Sequence, residues 1–227
     1  MKNTFLIIFF ILSINLWAQE ATINIPRITI DRFSENIMRY FLNKNDQIIY
    51  ETISIYENKN YTNILDSIDN NILFFYYGIK NDDLNRYNRF KEIIINRNTQ
   101  RLMNIFFTID NTNISLFLEQ QEPTPELNDI YWTLYFSSGN LQYINYLLNI
   151  VAKYYNETVN INNYLSARSA IWSLSSNANI YNQIRDYIIN NNIINNEIKN
   201  YILNTNHNRM QSDTIEFIQQ QREKGIW

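Results

Sequence analysis

The sequence predicts an all-α fold, an array of about ten helices packed as antiparallel hairpins. Three observations predict it. Apolar residues recur at helical spacing almost continuously from Phe33 to the C-terminus. Only three glycines and three prolines interrupt 227 residues, so breaks are few and short. A tryptophan-bearing stretch, Tyr131 to Leu148, has a counterpart forty residues further on, Ile171 to Ile188. With 45% apolar residues and 15% aromatics, residues 33–227 can bury the core of a single all-α domain.

The chain opens on "MKNTFLIIFFILSINLWAQE", with Lys2 before an apolar run and small Ala18 before polar Gln19 and Glu20. This is the layout of a secretory signal peptide over 1–18, with cleavage expected after Ala18; Leu16, three residues before the cut, is bulkier than usual. A run of roughly 13 apolar residues is short of the ~20 that cross a bilayer, and no later stretch is longer. The expectation is an exported chain, periplasmic or secreted, with no transmembrane segment after cleavage. Ile23, Ile25, Ile28 and Ile30 alternate around Pro26, which reads as an extended N-terminal arm over 19–32.

Helices follow. Phe33, Ile37, Tyr40 and Phe41 share a face after a Ser34 cap. "DQIIYETISIY" reads as a helix, although its β-branched residues also suit a strand. Ile64, Ile68, Ile72 and Phe75 form the next stripe, expected to stop at Gly78. Leu84, Tyr87, Phe90, Ile94 and Ile95 follow a start at Asn81/Asp82, then Leu102, Ile105, Phe106 and Ile109, then a short segment around Leu116. Thr124 reads as an N-cap with Pro125 at the first helical position, where its missing N–H costs nothing. Leu127, Ile130, Tyr131 and Leu134 make the buried stripe, which ends at "SSGN" with Gly139 suited to a left-handed stop. Leu141, Ile144, Leu147, Leu148 and Val151 restart it. Asp213 with Glu216 has capping-box spacing, and Gly225 before Ile226 reads as a final stop.

The paired stretches align without a gap: Trp132 with Trp172, Thr133 with Ser173, Leu134 with Leu174, Ile144 with Ile184, and Leu148 with Ile188. In each, a helix is expected to reach a small polar break ("SSGN", "SSNAN") and a second helix to fold back, giving two ~40-residue hairpin repeats within 122–190. These residues carry a resemblance. "PELNDIYWTLYFSSGN" and "AIWSLSSNA" are similar to a group of secreted bacterial proteins with P-x-x-N-D-x-x-W-x-x-F-x-[ST]-G-[ND] and A-x-W-S-L-x-S-N-A patterns. The matching residues are Asn128, Asp129, Trp132, Gly139 and Asn140, then Trp172, Ser173, Leu174, Ser176, Asn177 and Ala178. The resemblance spans about Pro125 to Ile188 and implies export and helices, with no activity attached. A fainter likeness to ankyrin and tetratricopeptide hairpins reflects shared hairpin geometry, because the ankyrin T-P-L-H signature is missing.

Composition excludes several function classes. Asn and Ile each occur 39 times, a skew that an AT-rich coding sequence produces by itself. Ile189, Ile193, Ile194, Ile198 and Ile202 keep helical spacing through "IINNNIINNEIKN", which a prion-like tract would not. The net charge is −3 and the charges are dispersed, with no basic stripe for nucleic acid. Zero cysteine removes disulfides, thiol nucleophiles and the usual structural zinc sites. No HExxH, GxSxG or P-loop is present, and His207, the one histidine, lies in polar "NTNHNRM". No catalytic residue, metal or cofactor is therefore expected.

Two constellations stand out. Trp132 and Trp172 flank the aliphatic stripes, where an indole usually packs between hairpins. The sharper reading is a binding groove with Trp132, Tyr135 and Trp172 as stacking surface and Asp129 and Arg168, each about one turn earlier, as polar contacts. Glu119, Glu122, Glu126 and Asp129 cluster in sequence, which suits capping and solubility, or an acid/base pair. The favoured expectation is a non-enzymatic binder of a protein or envelope component. The alternatives are an envelope glycan or peptidoglycan hydrolase using paired carboxylates, and a structural or stress-related envelope protein.

Overall fold

The structure, a computed structural model, describes residues 35–58 and 65–227. The proposed signal peptide, the N-terminal arm and the Ser34 cap lie outside the described residues. Those residues form twelve helices and no strand, so the chain is all-α. They gather into two compact units, one holding residues 35–121 and 132–141, the other 122–131 and 142–227.

In the first unit, α1 covers 35–43 and α2 Gln47–Glu57; α3 (Leu65–Asp82), α4 (Leu84–Arg97), α5 (Gln100–Asn111) and the short α6 (Ile114–Glu119) follow. The β-branched "QIIYETISIYE" is helical because Ile48, Ile49, Thr52, Ile53 and Tyr56 bury at i, i+3, i+4 spacing. Its centre is tied down: Thr52 donates to the Ile48 carbonyl and receives the Tyr76 hydroxyl (2.9 Å). α3 packs on both α4 and α5. Tyr76 on α3 meets the rings of Phe75, Phe90 and Phe106 at 4.9–6.0 Å, and Tyr87 stacks on Phe106 at 5.0 Å. These aromatic contacts form a sealed core.

Polar ties fix the register of that core. Asp69 takes a two-pronged grip from Arg101 (2.7–3.2 Å) and the Tyr56 hydroxyl, joining α2, α3 and α5. Burial would raise the Asp110 pKa, but hydrogen bonds from Lys91, Lys80 and the Tyr87 hydroxyl outweigh it and hold the carboxyl below the usual range.

Gly78 does not stop α3, contrary to expectation. The helix runs four residues further, and the missing side chain serves packing: a Cβ there would lie 1.8 Å from Ser137 Oγ and 3.0 Å from Ser137 Cβ. The turn into α4 is made at Asp83, whose side chain accepts from the Arg86 N–H (2.9 Å), so the start falls one residue past the expected Asn81/Asp82.

α7 (Pro125–Ser138) has residues in both units. It starts as the sequence requires, with Thr124 Oγ1 accepting from the Leu127 N–H (3.1 Å), and ends at Gly139 with φ +77°. The second unit continues with α8 (Gln142–Tyr154), α9 (Ile161–Ala178), α10 (Asn182–Asn190), α11 (Asn196–Asn204) and α12 (His207–Glu223). α9 is its axis, packing most extensively on α8 and also on α10, α11 and α12. The fold-back after Gly139 is marked by Tyr131 stacked on Tyr146 at 5.0 Å. The abundant asparagines are put to local use: Asn113, Asn160, Asn195 and Asn206 each cap a helix N-terminus through the side chain. Asn206, not Asp213, starts α12; Asp213 lies inside that helix. Gly225 (φ +70°) ends it, with the Ile226 N–H reaching back to the Gln221 carbonyl.

The second hairpin differs from expectation at its elbow. Ser175, Ser176, Asn177 and Ala178 are the last residues of α9 and are buried; the bend is Asn179–Tyr181. Two polar side chains here return to their own helix, Ser173 Oγ donating to the Ala170 carbonyl (3.0 Å) and Asn177 Nδ2 to the Ser173 carbonyl (2.9 Å), while Ser176 Oγ meets His207 Nε2 of α12. Their small volume lets neighbouring backbones come close.

Candidate functional site

The five residues singled out from sequence divide between the units. Trp132 and Tyr135 belong to the first, where both are buried. Trp132 stacks on Phe136 at 5.6 Å and meets Tyr135 edge-on at 5.9 Å, with Phe41 against both Tyr135 and Phe136. Asp129, Arg168 and Trp172 belong to the second. Arg168 and Trp172 sit one turn apart on α9.

Trp172 is half-buried, with its ring 4.7 Å from that of His207. His207 Nε2 lies 3.2 Å from Ser176 Oγ, and burial holds its pKa below the ordinary histidine value. Among the described residues no carboxylate hydrogen-bonds this imidazole, so the serine–histidine pair lacks the orienting acid of a triad.

Glu119, Glu122 and Glu126 are exposed. Asp129 is half-buried as a residue, but its carboxyl is desolvated; that burial, with the Glu126 charge one turn earlier, raises its pKa well above the usual carboxylate value. A carboxyl protonated more readily in the folded state weakens the fold as pH rises above the unfolded pKa of about 4. Asp129→Asn is therefore expected to raise the melting temperature at pH 7, with the gain vanishing as pH falls towards about 4. Equal melting curves at both pH values would refute this. Among the described residues no group of three or more potential ligands could hold a metal ion.

The chemically unusual residue is Arg168. Its guanidinium carbon lies 4.8 Å from the Tyr155 ring centre, 4.9 Å from that of Tyr164 and 5.8 Å from that of Tyr201. The rings come from three places: Tyr155 follows α8, Tyr164 is three residues into α9, and Tyr201 is on α11. Phe217 of α12 stacks on Tyr164 at 4.6 Å and Trp227 closes on both, so the cage is backed by further aromatics. Arg168 Nε and Nη1 are buried and make no well-aligned hydrogen bond; burial raises the Tyr164 pKa, and the neighbouring Arg168 guanidinium and Thr214 hydroxyl offset part of that rise. Among the described residues no carboxylate pairs with the guanidinium within 4.0 Å, and its charge lies against ring faces.

Arg168 forms part of the wall of a cavity of about 250 Å³, with Tyr155, Tyr201, Asp213, Glu216 and Gln220 among its neighbours there. Asp213 is already engaged: it accepts from the Tyr201 hydroxyl (2.8 Å) and pairs with Arg209 (2.7 Å). Burial and that hydrogen bond raise the Tyr201 pKa, so the phenol stays neutral. The arrangement offers one cation beside aromatic faces and two carboxylates, which suits binding a polar ligand. Sequence reasoning named Arg168 from its spacing to Trp172 but missed Tyr155, Tyr164, Tyr201 and Phe217. The tyrosine count of 17 is the only hint the sequence holds. The chain matches no family model, no curated protein and no solved structure.

Proposed function

We propose that this is an exported, non-enzymatic helical protein that binds a protein or envelope component through the Arg168 cavity. The single observation that carries the reading is the guanidinium held among Tyr155, Tyr164 and Tyr201 at a cavity wall, with two buried nitrogens that make no well-aligned hydrogen bond. An arginine desolvated without an acceptor is costly, and the fold that holds it in place gains from a ligand that supplies one. Export is supported by the signal-peptide layout of 1–18, and among the described residues no helix is long and apolar enough to cross a membrane. The likeness to secreted bacterial proteins around Trp132 and Trp172 points to the same compartment.

The test is co-sedimentation of the mature protein with isolated envelope fractions. Wild type is expected to be retained, and Arg168→Met to lose retention about tenfold, the scale of one lost charged contact. Circular dichroism should show both variants equally helical. N-terminal sequencing of the secreted chain is expected to begin at Gln19. Equal retention of both proteins, or retention of neither, would overturn the reading.

A further inference from the structure

The charges around the Arg168 cavity do not suit a simple anion. Its wall carries one cation, Arg168, and two carboxylates, Asp213 and Glu216. A phosphate or sulfate drawn to Arg168 would meet both carboxylates at the same time. A simple cation would be drawn to Glu216 but repelled by Arg168. Asp213 is neutralised by Arg209 and further occupied by the Tyr201 hydroxyl. One positive and one negative group therefore remain: the guanidinium of Arg168, and the carboxylate of Glu216, which has only a long contact (3.3 Å) from the Gln220 amide one turn on. They stand on different helices, α9 and α12, and both line the cavity, which therefore offers a donor and an acceptor.

We infer that the Arg168 cavity takes a zwitterionic α-amino acid, its carboxylate on Arg168, its ammonium on Glu216 and an apolar side chain against Tyr155, Tyr201 and Phe217. The inference rests on the proposed reading of Arg168 as a binding group and goes beyond the macromolecular partner proposed there to a small ligand of the same cavity. Size agrees: about 250 Å³ lies just under the ~300–1,000 Å³ of pockets for drug-sized ligands, which leaves room for a single amino acid. The aromatic surfaces add stacking for an apolar side chain, and Gln220 supplies an amide at the acidic edge.

Calorimetric titration of the full mature chain with three probes tests it: L-phenylalanine, phenylpropanoate (no ammonium) and phenethylamine (no carboxylate). L-Phenylalanine is expected to bind at least about tenfold more tightly than either analogue, the scale of one lost ionic contact. Arg168→Met is expected to weaken L-phenylalanine and phenylpropanoate by about tenfold, while Glu216→Gln weakens L-phenylalanine and leaves phenylpropanoate unchanged. Glu216 is exposed, so its replacement leaves the fold intact and keeps the test decisive even if the Arg168 variant does not fold. Phenylpropanoate binding as tightly as L-phenylalanine would overturn the zwitterion and leave the acceptor-binding reading standing. No binding by any probe overturns the inference as well; the co-sedimentation result with Arg168→Met then decides separately whether the broader reading survives.

Discussion

Gly78→Val is expected to destabilise the protein by about 3 kcal/mol, the upper range for forcing extra atoms into a packed core. The cause is local. A Cβ at Gly78 would lie 1.8 Å from Ser137 Oγ, and rotating that hydroxyl away leaves Ser137 Cβ at 3.0 Å and the Leu134 carbonyl at 3.4 Å. Neither of those can move without its backbone. Ser137 is fully buried and its hydroxyl is bonded to the Leu134 carbonyl, so rotation also breaks a hydrogen bond. For Gly78→Ala the helix-propensity gain of about 1 kcal/mol offsets part of the clash, so alanine should cost less than valine. Ser137→Gly should relieve the clash, and the double variant Gly78→Ala/Ser137→Gly is expected to be more stable than the sum of the single changes. Urea denaturation reads all four proteins; a shifted midpoint at constant slope reports stability alone. If Gly78→Val melts with wild type, the close approach of α3 to Ser137 is wrong.

Gly78 also shows where the sequence was legible and where it was not. Ile68, Ile72, Phe75 and Ile79 keep helical spacing straight through it, and all four are buried, so the stripe was readable. The glycine was taken for a stop because its local meaning is a break, whereas its reason is a neighbour nearly sixty residues away in the chain. Ser175–Ala178 read as a break for the same kind of reason: a polar run looks like a loop, whereas here Asn177 turns back onto its own helix and Ser176 meets His207 of α12. Gly139 and Gly225 were read correctly because their φ values, +77° and +70°, answer to the local backbone alone. Leu134 and Leu174, Ile144 and Ile184, Leu148 and Ile188 are all fully buried pairs.

The candidate site was less legible, for a physical reason. Periodicity reports which face of a helix is apolar, and it placed Arg168 correctly on α9. It carries no information on which distant rings surround that guanidinium. Tyr155 lies after α8, Tyr201 on α11 and Phe217 on α12, and only tertiary packing brings them to one place. Arg168 is therefore expected as a polar contact of a groove at the tryptophans, whereas it lies among tyrosines with two of its nitrogens buried.

The two tryptophans that looked equivalent in sequence should behave differently when removed. Trp132→Ala is expected to cost about 3–5 kcal/mol, the range for deleting a large buried aromatic. Only 6% of Trp132 is exposed, and its indole is enclosed by Tyr135 and Phe136, so nothing small can fill the space it leaves. Trp172→Ala should cost less, about 1–2 kcal/mol, because Trp172 is only half-buried and rests on His207. Its clearer signature is electrostatic. Burial keeps the His207 pKa below its usual value, so the folded state binds that proton less readily than the unfolded state. Stability is accordingly lost as pH falls through the ordinary histidine pKa of about 6.5. Removing the indole rehydrates the imidazole, which should move its pKa upward and flatten that loss. His207 is the one histidine in 227 residues, so a single imidazole resonance followed by NMR titration reads the change directly. Equal melting losses for the two variants, or an unmoved His207 titration in Trp172→Ala, would mean that the indoles do not occupy the environments described, one sealed in an aromatic core and the other shielding an imidazole.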